Sequence, residues 1–113
     1  MSWWIALKDE NGSVVETDTI RQEGGTQIMG GTTEAELNVT YNYGKHFSFS
    51  QLNGLSAKEA APKIKYAVDK LGNETNEDYW KPTEGNVKAA LQTLLDFAEY
   101  AISKNLNATF VVN

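Results

Sequence analysis

The sequence has no cysteine and a single histidine, His46, among its 113 residues. Without cysteine the chain forms no disulfide framework and carries no thiolate chemistry. A zinc site would need an unusual carboxylate-rich ligand set, because zinc is bound mostly by cysteine and histidine. We therefore expect neither a metal nor another cofactor.

Basic clusters and long hydrophobic runs are also missing. The 10 lysines and arginines are spread along the chain against 15 acidic residues, and the net charge is -5. Binding to nucleic-acid phosphates needs a basic stripe, so this partner is disfavoured. No run is long enough to span a bilayer, and the first residues lack a signal-peptide pattern, which predicts a cytoplasmic protein without membrane contact.

The length and the 41% hydrophobic content are those of one α+β domain covering residues 1–113. The clearest strand pattern runs from Glu34 to Tyr43, where apolar and polar residues alternate strictly. Its polar face either lies in solvent or lines a pocket; it carries Glu34, Glu36, Asn38, Thr40 and Asn42.

Three further strands are predicted, over 3–8, 14–21 and 108–112. The Asn11-Gly12 pair between the first two predicts a tight hairpin turn. In the first strand Trp4 and Ala6 make the second face apolar as well, which predicts contact with another subunit.

Two helices are predicted from their apolar stripes. The first starts at a capping box of Ser56 and Glu59, with Pro62 marking either a bend or the start of its regular part. The second is capped by Thr83 and ends near Lys104. Residues 44–55 are ambiguous: they continue the strand past a bulge, or they pack aromatic side chains over the sheet edge.

These elements predict an antiparallel or mixed sheet of about four strands with both helices packed on one face. The other sheet face is then solvated or covered by another chain. The extra apolar side of the first strand favours the second alternative and hence a homo-oligomer.

The segments GGTTEAELNVTYNY and DYWKPTEGN, with the helix that follows, resemble a family of small proteins encoded by bacteriophages and prophages. The likeness covers roughly residues 22–43 and 64–98. It implies a phage origin and an accessory role in the host cytoplasm, and it supplies no catalytic residues. By analogy with compact, oligomeric anti-defence proteins, the expected function is sequestration of a nucleotide-derived host immune signal without catalysis.

A nucleotide site needs an aromatic ring for the base, amides or hydroxyls for the ribose, and a cation or backbone amides for the phosphate. Six residues meet this description: Arg21, Asn42, Tyr79, Trp80, Thr83 and Asn86. The alternative is structural, with the two aromatics in the core and with Thr83 and Asn86 capping a helix.

Two other functions remain open. In the first, the protein would inhibit a host defence protein by binding it directly, through an exposed aromatic or acidic surface. Less favoured is a small hydrolase that uses Glu34 and Glu36, because residues i and i+2 of a regular strand lie about 6.5 to 7 Å apart, within the spacing of an inverting carboxylate pair.

Overall fold

The computed structural model describes residues 3–21, 32–39, 47–71 and 84–113, with the backbone alone at 18–21, 32–33, 38 and 84–86. All four predicted strand positions and both predicted helices are present, so the α+β class is confirmed. The strands are β1 (Trp3–Asp9), β2 (Glu16–Arg21), β3 (Thr32–Glu34), β4 (Glu36–Val39) and β5 (Ala108–Val112).

The main sheet has the order β4-β1-β5, and β1 is antiparallel to both neighbours. In this register Ile5 lies opposite Leu37 and Val112, and Leu7 lies opposite Phe110. Alternate residues of a strand point to opposite faces, so Ile5, Leu7, Leu37 and Phe110 share the inner face. All four are buried in one hydrophobic core.

The predicted strand from Glu34 to Tyr43 is interrupted at Ala35. Its first part, β3, pairs with β2 in a separate two-stranded sheet, and its second part, β4, pairs with β1. The apolar alternation survives the interruption, since Ala35, Leu37 and Val39 are all buried. Thr40 to Tyr43 lie outside the described residues.

Three segments of the main chain meet where the two sheets join. The N–H of Leu7 donates to the carbonyl of Ala35 (2.9 Å), that of Ala35 to Val15 (2.8 Å), and that of Val15 to Leu7 (2.9 Å). The three hydrogen bonds form a closed cycle of buried groups. Because buried N–H and C=O groups need partners, this cycle lets the chain pass between the sheets without an unsatisfied polar atom.

The first turn is the hairpin that Asn11-Gly12 predicts. Asp9 and Ser13 close it through a 2.8 Å backbone hydrogen bond, and Gly12 has a φ of +81°. The Asp9 carboxylate accepts from the N–H groups of Asn11 (2.9 Å) and Ser13 (3.0 Å). A three-residue loop with glycine in the left-handed region is a common hairpin connection.

The segment before α1 covers the outer edge of β5. After a 3-10 helix (Phe49–Leu52), the carbonyl of Leu55 accepts from the N–H of Phe110 (2.8 Å), and the N–H of Gly54 donates to Phe110 (2.9 Å). Phe47 and Phe49 are buried. Of the two predicted alternatives for 44–55, packing over the sheet edge is therefore the one seen in the described part, 47–55.

Helix α1 (Ala57–Lys70) begins with the predicted capping box. The N–H of Glu59 donates to Ser56 Oγ (3.1 Å), and the N–H of Ser56 donates to Glu59 Oε1 (3.0 Å). The latter bond is the main reason that the pKa of Glu59 lies below its usual value. Pro62 lies inside the continuous helix, so the regular part does not start there.

Helix α2 (Glu84–Ser103) ends in a Schellman motif. Asn105 adopts a φ of +55° and donates its N–H to Ile102 (3.0 Å), and Leu106 donates to Ala101 (2.8 Å). The two helices pack against each other and on the inner face of the main sheet, as predicted. Within the described residues, no helix has the length and apolar character needed to cross a membrane.

Candidate functional site

The six residues predicted to bind a nucleotide fall mostly outside the described part of the chain. Arg21 is the last residue of β2, where its backbone pairs with Thr32, and Asn86 lies in the first turn of α2. The remaining four, Asn42, Tyr79, Trp80 and Thr83, lie outside the described residues. Whether the six form one site therefore remains a prediction.

The outer face of the main sheet is the first candidate surface among the described residues. Register and alternation place on it Trp4, Ala6 and Lys8 of β1, Glu36 of β4, and Thr109 and Val111 of β5. We call these six residues, with Glu34, the outer sheet face.

The apolar residues of this face differ in exposure. Ala6 is only 2% exposed, whereas the indole of Trp4 is 37% exposed. Of the two apolar residues predicted to face another subunit, only Trp4 reaches solvent, and contact with another subunit stays a prediction.

Trp4 is held in place by a carboxyl group. Its side chain hydrogen-bonds Glu36, and because the indole N–H can only donate, Glu36 accepts. In the register Trp4 lies opposite Asn38 and Ala6 lies opposite Glu36, so Trp4 and Glu36 are diagonal neighbours, within reach of a long side chain. The hydrogen bond links the exposed indole of β1 to β4 across the sheet surface.

The side chain of Glu36 also lies close enough to that of Glu34 for the two carboxyl groups to interact directly. Burial raises the pKa of Glu36 first, and the hydrogen bond and the charge of Glu34 raise it further. The Trp4 hydrogen bond and the charge of Lys8 act in the opposite direction. Two neighbouring carboxyl groups favour a bound cation, because a positive charge relieves the repulsion between them.

This contact differs from the spacing expected for the hydrolase alternative. A regular strand would hold the carboxyl groups of Glu34 and Glu36 apart, with room for a water molecule between them. The interruption at Ala35 instead places Glu34 at the end of β3 and Glu36 at the start of β4, where their side chains interact. The spacing of one regular strand therefore does not describe this pair, and the hydrolase alternative stays a prediction.

A second candidate is a cavity of about 310 Å³ between the 3-10 helix and α1. Its walls combine apolar, aromatic and cationic groups: Phe47, Gln51, Pro62, Lys63, Tyr66 and Ala67. Of these, Tyr66 is 66% exposed, and Lys70 lies over its ring with Nζ 5.2 Å from the centroid. The sequence analysis did not select this group. The sequence carries one sign of this group: Pro62, Lys63 and Tyr66 have helical spacing, and a pair of phenylalanines precedes the helix in the chain.

A further cavity of about 310 Å³ lies between the start of α1 and the segment after α2. Ser56 lines it, but both its hydroxyl and its N–H are used in the capping box. Asn105 lines it too, and its backbone is fixed by the Schellman motif. Helix termination accounts for these polar groups, so this cavity is the weaker candidate.

The described residues contain no group of three or more histidine, cysteine, aspartate or glutamate side chains that could hold a metal ion. Comparison of the whole chain with family models, with curated proteins and with solved structures found no match.

Proposed function

We propose that the protein acts by binding, without catalysis, and that its outer sheet face docks onto a partner protein that presents an arginine or a lysine. This is the protein-inhibitor hypothesis from the sequence, with a defined surface. The observation that carries it is the exposed Trp4 indole, hydrogen-bonded to Glu36 beside Glu34.

The chemistry of this face suits a cationic side chain. A guanidinium or ammonium group gains from the face of a tryptophan ring and from paired carboxylates. On binding it would relieve the repulsion between Glu34 and Glu36. The net charge of -5 would also attract a basic partner before contact.

Preorganisation favours Trp4 as the anchor of the interface. Tryptophan is among the residues that most often dominate binding energy, and a ring that is already fixed loses little entropy on association. The phage resemblance places such a partner among host defence proteins, and this part of the proposal rests on the resemblance alone.

The test is native mass spectrometry of the tagged protein isolated from host cells, with Trp4→Ala, Glu36→Gln and Ile102→Ala compared with the wild type. Ile102 is also 37% exposed but lies on α2, so it is a control of matched exposure. We expect one protein partner at fixed stoichiometry, lost with Trp4→Ala, weakened with Glu36→Gln and kept with Ile102→Ala. An isolated monomer in every sample, or equal loss with Ile102→Ala, would contradict the proposal.

The sequestration of a nucleotide-derived immune signal remains a second proposal, based on the sequence resemblance. The same spectra test it, because a small ligand would appear as a defined added mass on the protein or on its homo-oligomer. Trp80→Ala should remove that mass if the predicted site is correct, whereas an adduct that persists in this variant would place the ligand elsewhere.

A further inference from the structure

We propose that the cavity between the 3-10 helix and α1 binds a small molecule that combines a flat ring with an anionic group, of the size of a nucleoside monophosphate. This site is separate from the outer sheet face. The inference goes beyond the proposed docking function and does not depend on it.

The floor of the cavity is apolar and fixed. Phe47 and Ala67 line it and are both buried. Phe47 packs edge-to-face on the buried Phe49, with ring centroids 6.0 Å apart and an interplanar angle of 76°. Such a floor changes little when a ligand binds, which lowers the entropic cost of association.

The rim offers a surface for stacking. Tyr66 and Pro62 lie four residues apart on α1, which places them on the same side of the helix, and both line the cavity. Tyr66 is 66% exposed, far more than a tyrosine that serves only the core. With Lys70 over its ring, it presents a polarised aromatic wall to a planar ligand.

The charge around the cavity favours an anion. Helix α1 carries Lys58, Lys63, Lys65 and Lys70 against Glu59 and Asp69, in a chain whose net charge is -5. Lys63 lines the cavity, and Gln51 adds an amide from the opposite wall. Glu59 is an acidic group close enough to Lys63 to be influenced by its charge, and its Oε1 already accepts from the backbone of Ser56. An incoming phosphate or carboxylate thus meets a lysine in a locally cationic region.

The volume limits the ligand. At about 310 Å³ the cavity lies at the lower end of the range for small-molecule sites. A single ring with one anionic group fits this range better than a dinucleotide. The acidic pair on the outer sheet face disfavours the same ligand there, so the two surfaces select opposite charges.

The test is isothermal titration of the purified full chain with three probes: adenosine monophosphate, adenosine and inorganic phosphate. We expect the monophosphate to bind measurably, and each of the other two probes to bind at least about fivefold more weakly. Lys63→Gln and Tyr66→Ala should each weaken monophosphate binding by about fivefold or more, because they remove the anion contact and the stacking wall.

Lys65→Gln is the matched control. It removes the same charge from an exposed position of the same helix that does not line the cavity. Its affinity should stay within about twofold of the wild type. No binding of the monophosphate at millimolar concentration would overturn the proposal, as would equal losses for Lys63→Gln and Lys65→Gln or an unchanged affinity for Tyr66→Ala. Thermal unfolding of each variant verifies that these exposed substitutions leave the fold intact.

Discussion

The backbone carbonyl of Ala35 accepts a hydrogen bond from the N–H of Leu7 at 2.9 Å, at the point where one predicted strand becomes two. Glu34 and Glu36 are the chain neighbours of Ala35, so this contact also affects where the two glutamates lie. The interruption of the strand is thus the structural origin of the carboxyl pair on the outer sheet face.

Ala35→Leu should destabilise the protein by about 1–3 kcal/mol. Ala35 is fully buried, and a larger side chain there would push apart the three main-chain segments that meet where the two sheets join. Urea denaturation measures the change. Ala89→Leu, at an exposed position of α2, is the control and should stay within about 0.5 kcal/mol of the wild type. Equal stability of Ala35→Leu and the wild type would show that the corner has room to spare.

Glu36→Gln should raise the stability at neutral pH. The pKa of Glu36 is raised in the folded state, so its contribution is fully present below its unfolded value of about 4.5 and is lost as the pH rises through the folded value. Glutamine keeps an acceptor for Trp4 and removes the repulsion from Glu34.

The measurement is the melting temperature of both proteins between pH 3 and pH 8, a range that begins below the ordinary titration of a glutamate and extends well above it. The variant should melt above the wild type at neutral pH, and the difference should disappear in acid. Glu99→Gln removes the same charge from an exposed site on α2 and is the control. A lower melting temperature for Glu36→Gln at pH 7 would contradict a destabilising charge on Glu36 in the folded protein.

Ser56→Ala should cost about 1 kcal/mol, since it removes the hydroxyl that accepts the N–H of Glu59 at the start of α1. Ser56→Thr keeps a capping hydroxyl and should recover most of this loss. Chemical denaturation of the three proteins is sufficient. If the alanine and threonine variants were equally unstable, packing around Ser56 and not its cap would be responsible.

Asn105→Ala should destabilise the protein by about 1 kcal/mol, because a φ of +55° places Cβ against the following carbonyl group. Glycine adopts the same backbone conformation without strain, so Asn105→Gly should be at least as stable as the wild type. The greater entropy of its unfolded chain acts in the opposite direction. Differential scanning calorimetry separates the two. An alanine variant that melts with the glycine variant would mean that the Schellman turn adjusts without strain.

Local patterns in the sequence identified most of the fold. Strict alternation identified the buried residues Ala35, Leu37 and Val39, Asn11-Gly12 identified the hairpin, and Ser56 with Glu59 identified the start of α1. These signals depend on neighbours in the chain, and the periods of strands and helices are fixed by backbone geometry. They gave no indication of the interruption at Ala35, because an alanine in a strand pattern carries no local sign of a corner.

The candidate sites likewise combine features that the local sequence determines with features that depend on the tertiary structure. The sequence by itself determined that the chain has no cysteine, that it carries a net charge of -5, and that Trp4 and Ala6 lie on the second face of β1. Only the tertiary structure decided that Glu36 meets both Trp4 and Glu34, and that Phe47 and Gln51 line one cavity with Tyr66 of α1. Both arrangements bring together residues that belong to different elements of the fold. Such long-range contacts result from the packing of the whole core, which no local periodicity encodes.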